Sequence, residues 1–134
     1  AVPRIVELFG ELNQSTTVFV IGADAARDDG GALGRAKSWD TACPLGPWIQ
    51  TELDTDDLEI KTWVDGDLKQ DGTTSDMIFS VAELVAAISE GFTLLPGDVI
   101  LTGTPEGVGP ITAGQHVAVT VEGIGTLTSL AEDR

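Results

Sequence analysis

The chain has 134 residues, of which 42% are hydrophobic, and a formal net charge of −15 at pH 7. This length suits one domain with one core, and we assign residues 1–134 to a single domain. With 7 Lys and Arg against 22 Asp and Glu, nucleic-acid binding is disfavoured, because phosphate neutralisation needs clustered cations. No apolar run is long enough to span a bilayer, so no membrane partner is expected.

The cysteine content and the first residues bear on the compartment. Cys43 is the single cysteine, which excludes an intramolecular disulfide and a cysteine-based zinc site. The opening AVPRIVELFG lacks the apolar region of a signal peptide. Together these features predict a cytoplasmic protein.

The first third of the chain contains one predicted strand and two turn-rich segments. Residues 16–21, TTVFVI, are β-branched and aromatic and predict a strand that ends at Gly22. Residues 23–36 have the Ala, Asp and Gly composition of a loop. The PLGP segment at 44–47 predicts a rigid turn.

A hairpin is predicted next. Apolar and polar residues alternate over 58–64, LEIKTWV, which is typical of a half-buried strand. Asp65-Gly66 predicts a tight turn from that strand into the DLKQ segment. Four polar residues at and after the end of this segment are interpreted as turn residues that lead into a helix, with a polar pocket as the alternative: Gln70, Thr73, Thr74 and Ser75.

The clearest helix signal covers 80–90. Ser80 and Glu83 have the spacing of a capping box, and Gly91 follows the last turn. The apolar positions fall on one helical face: Val81, Leu84, Val85 and Ile88. The helix is therefore predicted to be amphipathic.

The last part of the chain is predicted to be mostly β. The apolar run 99–101 predicts a buried strand, 103–109 (GTPEGVG) a glycine-rich loop, and 116–121 with 124–128 two strands around Glu122-Gly123. The whole pattern predicts an α+β domain, mostly β, with one clear amphipathic helix.

Two segments contain candidate functional residues. In the GTPEGVG loop, glycines allow backbone N–H groups to approach a ligand, and Thr104 offers a hydroxyl to a carboxylate. A plain connection between strands explains the same loop. Lys37, in RAKSWDTACPLGPW, could stabilise an oxyanion. The alternative is that its stem packs on Trp39 while its amine reaches water.

Five segments in this order resemble the fumarylacetoacetate hydrolase family: RAKSWDTACPLGPWI, the Asp-Gly hairpin, QDGTTSDMIFSVAELVAAIS, LLPGDVILTGTPEGVG and VEGIGTL. The similarity runs from about Arg35 to Leu127. It implies a mixed β-roll or barrel fold, a homodimer, and a small keto-acid substrate bound with Mg²⁺ or Mn²⁺.

The resemblance also implies site residues. Lys37 matches the family's active-site lysine, and Thr104, with the backbone of Gly103, matches the loop that binds a substrate carboxyl. Arg27 matches a substrate-contacting arginine. The metal ligands are assigned to Glu11 and Asp24.

The N-terminal part departs from the family pattern. Where the family has a carboxylate four residues before its arginine, this chain has Ala23, and Asp24 is one residue away. The Glu-x-Glu pair before the VFVIG strand is also absent. Either the metal site has diverged, or residues 1–34 lack flexible loops of the family. We favour the second explanation, omitted loops. It would be excluded if all consecutive Cα atoms between Ala1 and Arg35 lay about 3.8 Å apart.

Three functions follow as alternatives. The first is a metal-dependent hydrolase that cleaves a C–C bond of a 2,4-diketo acid of the acylpyruvate type through a metal-bound enolate. The second is an isomerase or decarboxylase of hydroxymuconate-type diacids, or an oxaloacetate decarboxylase, on the same fold. The third is a non-catalytic family member that has lost its metal site. We favour them in that order.

Overall fold

The computed structural model describes residues 18–20, 41 and 43–133. The chain divides into two compact units, one formed by residues 1–43 and 81–103, the other by 44–80 and 104–134. Assignment of the whole chain to one domain remains a prediction. The interpretations of residues 1–17 and 23–36, including the proposed missing loops, concern residues outside the described part.

The first unit contains a pair of parallel strands and a helix. Strand β1 (Val18–Val20) pairs with β4 (Val99–Leu101), with Phe19 opposite Ile100. Helix α1 covers Val81–Gly91 and begins directly after Ser80, the residue predicted as its N-cap. Leu84, on the predicted apolar face, is buried, with 8% of its surface exposed. The amphipathic helix is thus confirmed.

The second unit is an open, four-stranded antiparallel sheet with the order β3-β2-β5-β6. Its strands are β2 (Glu59–Val64), β3 (Asp67–Thr73), β5 (His116–Val121) and β6 (Gly125–Leu130). The sheet is therefore built from two hairpins whose inner strands, β2 and β5, pair with each other. Strands β3 and β6 form its edges.

The predicted Asp-Gly hairpin is confirmed. Asp65 has φ 52° and Gly66 has φ 88°, as a two-residue turn with the twist of the strands requires. The Asp65 carboxylate accepts hydrogen bonds from the backbone N–H of His116 at 2.8 Å and from the Gln115 amide at 3.0 Å. These bonds, the His116 one above all, hold the pKa of Asp65 below its ordinary value.

The two faces of the sheet differ in polarity. Residues such as Ile60, Val64, Val119 and Leu127 share one face, which we call the apolar face. Val64 on this face is buried, with 8% of its surface exposed. The 44–58 segment contributes to covering it, since the Trp48 ring lies against Gly125 at the start of β6.

Three sequence predictions need correction. Gln70–Thr73 belong to β3 rather than to a turn, because this strand pairs with β2 up to Thr73, which lies opposite Glu59. A 3₁₀ helix (Thr74–Asp76) follows. The last strand begins at Gly125, since the turn continues through Ile124, whose N–H bonds the Val121 carbonyl at 3.1 Å. Strand 99–101 is half-buried rather than buried.

The predicted fold class is confirmed. Over the described residues the chain is mostly β, and α1 is the single α-helix there. No helix in this part has the length and apolar character needed to cross a membrane.

Candidate functional site

The candidate site is the glycine-rich loop that follows β4. Gly103, the last residue of the first unit, has φ +130°, and Gly107 has φ +99°. L-residues with a side chain rarely adopt such angles. The glycines at these two positions are therefore required by the backbone path of the loop.

Residues of β3 anchor this loop to the edge of the sheet. The side-chain nitrogen of Gln70 lies 2.8 Å from the Thr104 hydroxyl oxygen and 2.8 Å from the Pro105 carbonyl oxygen. A Cβ added at Gly72 would lie 3.0 Å from the Pro105 ring, which shows how closely the proline packs on the strand. Thr104 and Pro105, the two residues after Gly103, are thus held against β3.

A second contact holds the far end of the loop. The backbone of Gly107 lies so close to the carbonyl group of Lys69 that a Cβ at this position would overlap the carbonyl oxygen. The register of β3 against β2 shifts between the Thr62–Gln70 and Trp63–Leu68 pairs, so Lys69 is an extra residue in β3. The bulge and the glycine together allow the loop to approach the strand.

The contacts of Thr104 leave its hydroxyl proton available to an anionic ligand. Thr104 is exposed, and within the described part of the chain its hydroxyl proton has no acceptor. The lysines of that part, Lys61 and Lys69, are both paired with carboxylates, at 2.8 Å to Glu59 and 3.3 Å to Asp67. Within GTPEGVG, Thr104 is the one side-chain donor, and Glu106 is the one charged residue.

An open depression of about 500 Å³ lies on the opposite face of the sheet. Its lining is Asp57, Glu59, Lys61, Thr73, Thr120 and Glu122. The Thr73 hydroxyl, at 2.6 Å, and the Ser75 hydroxyl hold the pKa of Asp57 below its ordinary value. The hydrogen bond from Lys61 to Glu59 is the main cause that raises the pKa of Lys61. This acidic lining would repel a carboxylate substrate, so we do not place the active site there.

The structure covers part of the predicted site. Thr104 and Gly103 are described, whereas Lys37, Arg27, Glu11 and Asp24 lie outside the described residues. Within residues 18–20, 41 and 43–133, no three His, Cys, Asp or Glu side chains form a group that could hold a metal ion.

One residue of the site was not identified from the sequence. Gln70 was interpreted as a turn or pocket residue, but it holds the Thr104 loop. The hairpin gives only part of this contact. Strand alternation places Gln70 and Gly72 on one face, but unbroken pairing from Asp65-Gly66 would set Gln70 opposite Lys61, whereas the extra residue Lys69 puts Gln70 opposite Thr62.

Comparison with known proteins identifies the family. The profile described as Fumarylacetoacetate (FAA) hydrolase C-terminal matches residues 19–130. The protein Rv2993c of Mycobacterium tuberculosis is 54% identical over 118 residues, which cover 83% of this chain and 44% of the relative.

Two solved structures are similar in fold as well as sequence. A 5-carboxymethyl-2-hydroxymuconate delta-isomerase from Mycobacterium smegmatis has a TM-score of 0.76 and 54% identity, covering 83% of this chain and 44% of that one. A maleylpyruvate hydrolase from Sphingobium sp. SYK-6, in complex with manganese(II) and pyruvate, has a TM-score of 0.67 and 39% identity, covering 70% and 37%.

The chain thus spans less than half the length of each of these relatives. The match nevertheless includes the hairpin, the helix and the Thr104 loop, and it extends over most of the sequence. The chain belongs to the fumarylacetoacetate hydrolase family, of which it represents the C-terminal domain type.

Proposed function

We propose that the protein is a hydrolase that cleaves a C–C bond in a small 2,4-diketo acid of the acylpyruvate type. The observation that carries the proposal is the exposed Thr104 hydroxyl, whose oxygen is engaged by Gln70 while its proton has no acceptor within the described part of the chain. Such a group can donate to the carboxylate end of a keto acid. A relative with manganese and pyruvate bound supports this ligand class.

In the proposed reaction, the loop fixes one end of the substrate. Thr104 donates a hydrogen bond to the carboxylate, and the backbone of Gly103 contacts the same group. Lys37 stabilises the negative charge that develops on a substrate oxygen, and Arg27 contacts the remainder of the substrate. Holding the carboxylate at a fixed point contributes binding energy to the ground state and the transition state alike.

The proposed reaction consumes only the acylpyruvate and one water molecule. The water oxygen forms a bond to the distal carbonyl carbon, and the adjacent C–C bond breaks. Its electron pair passes to the pyruvate fragment as an enolate, which takes up a proton. The products are pyruvate and a carboxylic acid.

Mg²⁺ or Mn²⁺ is part of this proposal, with Glu11 and Asp24 as its proposed protein ligands. A divalent cation, when bound, supplies Lewis-acid stabilisation of negative oxygen. We also propose a cytoplasmic homodimer, which the family resemblance and the single cysteine support.

The alternative is isomerisation or decarboxylation of a related diacid. It is favoured by the similarity to the protein named as a hydroxymuconate isomerase. The same carboxylate anchor would serve both reactions, because both develop charge on an enolate oxygen.

The test is incubation of the full-length protein with an acylpyruvate and Mg²⁺ or Mn²⁺, with products followed by mass. Hydrolysis gives two products, pyruvate and a carboxylic acid, whose masses together equal the mass of the substrate plus one water. The alternative is tested with a hydroxymuconate-type diacid, for which isomerisation leaves one product of unchanged mass and decarboxylation releases CO₂. EDTA should abolish turnover, and added metal should restore it. An absence of any turnover with either metal would refute the proposed function.

A further inference from the structure

We infer that Gln70 is a positioning residue that fixes the direction of the Thr104 hydroxyl, so that Thr104 acts as a hydrogen-bond donor toward a carboxylate. The inference rests on the proposed function for the identity of the ligand. It extends that function by assigning a role to a residue of strand β3, outside the Thr104 loop, that acts through Thr104.

The orientation of the Gln70 amide is settled by its partners. The Pro105 carbonyl oxygen can only accept a hydrogen bond, so the amide nitrogen rather than the amide oxygen must face it. That nitrogen lies 2.8 Å from both the Pro105 oxygen and the Thr104 hydroxyl oxygen. Its two N–H groups are therefore directed to these two acceptors.

The direction of the Gln70 bond determines what Thr104 can do. A threonine hydroxyl has one proton and two lone pairs. Since Gln70 donates to the oxygen, the proton points elsewhere, and in the described part of the chain it has no acceptor. The hydroxyl is thus prepared to donate to an incoming anion.

The surrounding contacts keep this arrangement in place. Gln70 is half-buried and is paired with Thr62 in the sheet, so its backbone is fixed by the strand. Pro105 packs on Gly72, two residues further along the same face. The loop therefore does not depend on Gln70 alone for its position. Because Gln70 also holds the Pro105 carbonyl, its effect on the hydroxyl is separated from its effect on the loop in a background that lacks the hydroxyl.

The decisive substitution is Gln70→Glu, which preserves size and shape. The carboxylate would accept the Thr104 proton instead of donating to its oxygen, and it would place a negative charge beside the Pro105 carbonyl. We expect KM for an acylpyruvate to rise about 10- to 100-fold, the range of one hydrogen bond to a charged group. kcat should change little, because the anchor acts on the ground state and the transition state alike.

The matched control is Gln50→Glu, which adds the same charge. The Gln50 side-chain oxygen accepts hydrogen bonds from the backbone N–H groups of Thr51 and Glu52, and a carboxylate can keep that role. This control should have wild-type KM. In a Thr104→Val background, Gln70→Glu should add almost no further loss, since the hydroxyl that it redirects is gone.

A readout without turnover separates this inference from the proposed function. The Thr104 methyl group, labelled with ¹³C, should shift when pyruvate is added to the wild type and to Gln50→Glu, but not to Gln70→Glu. If the wild type turns over no keto acid while this pattern holds, the proposed function fails and the role of Gln70 stands. If the methyl shift is absent in the wild type, or equal in Gln70→Glu, the inference is overturned.

Discussion

Gly107 lies directly against the backbone carbonyl of Lys69, at the point where β3 carries one residue more than β2. The bulge in the strand and the glycine in the loop are thus complementary features, although the two residues are far apart in the sequence. Together with the Gln70 hydrogen bonds, this contact determines where the Thr104 loop lies on the sheet.

Gly107→Ala should therefore destabilise the protein more than the addition of one methyl group usually does. Its φ of +99° is unfavourable for alanine, and the new Cβ would overlap the Lys69 carbonyl oxygen. We expect a loss of at least about 2–3 kcal/mol in the free energy of unfolding, or a displaced loop with impaired substrate binding. Chemical denaturation and substrate KM measure the two effects.

The control for this prediction is Gly66→Ala. Gly66 has a similar φ of +88°, but a Cβ there would meet no atom within 4 Å. Gly66→Ala should therefore lose only about 1–2 kcal/mol in the free energy of unfolding, the cost of the left-handed backbone conformation, with no change in KM. Equal losses for the two variants would mean that the Lys69 contact has no energetic role.

Asp65→Asn should reduce stability at neutral pH and change its dependence on acid. The pKa of Asp65 is lowered in the folded protein, chiefly by the His116 N–H. A lowered folded pKa contributes stability above the unfolded value of about 3.9, and this contribution is lost as the pH falls through the folded pKa. The variant should melt a few degrees below the wild type at pH 7, with a smaller difference at pH 3.

Thermal melting at the two pH values, with Glu132→Gln alongside, measures this effect. Glu132 is exposed and has no side-chain hydrogen bond in the described part of the chain. The control removes the same charge and should leave the melting temperature almost unchanged. The assigned role of the carboxylate would be contradicted if the difference in melting temperature between Asp65→Asn and the wild type were the same at pH 7 and pH 3.

Leu84→Ala should destabilise the first unit by about 2–3 kcal/mol, since it removes a buried side chain from helix α1. The loss should lie near the low end of the usual range, because 8% of the leucine surface is already exposed. Ile78→Ala, at a position with 85% exposure, should change stability by less than about 0.5 kcal/mol. Denaturation midpoints of the two variants test the difference.

Local sequence patterns predicted most of the secondary structure. The Asp65-Gly66 turn and the apolar spacing around Leu84 depend on residues close in sequence, and both predictions are confirmed. The register of β3 could not be predicted in the same way. Its polar residues have turn composition, but pairing with β2 overrides that preference as far as Thr73.

The candidate site was less accessible to sequence reasoning. Thr104 was identified through the family resemblance, whereas its partner Gln70 lies 34 positions earlier and meets it only through packing of the loop on the edge strand. The bulge at Lys69 has no clear local signal either, because it depends on how two strands align. Contacts of this kind are set by tertiary structure.

The central claim is that the Thr104 hydroxyl binds the carboxylate of a keto acid that the protein hydrolyses. The most direct measurement is pyruvate release from an acylpyruvate by the full-length wild type, Thr104→Val and Thr104→Ser, with Mg²⁺ or Mn²⁺ present. We predict turnover by the wild type, a loss of about 10- to 100-fold in kcat/KM for the valine variant, and a much smaller loss for serine, which keeps the hydroxyl. Equal kcat/KM for the valine variant and the wild type, or no pyruvate release by the wild type, would contradict the claim.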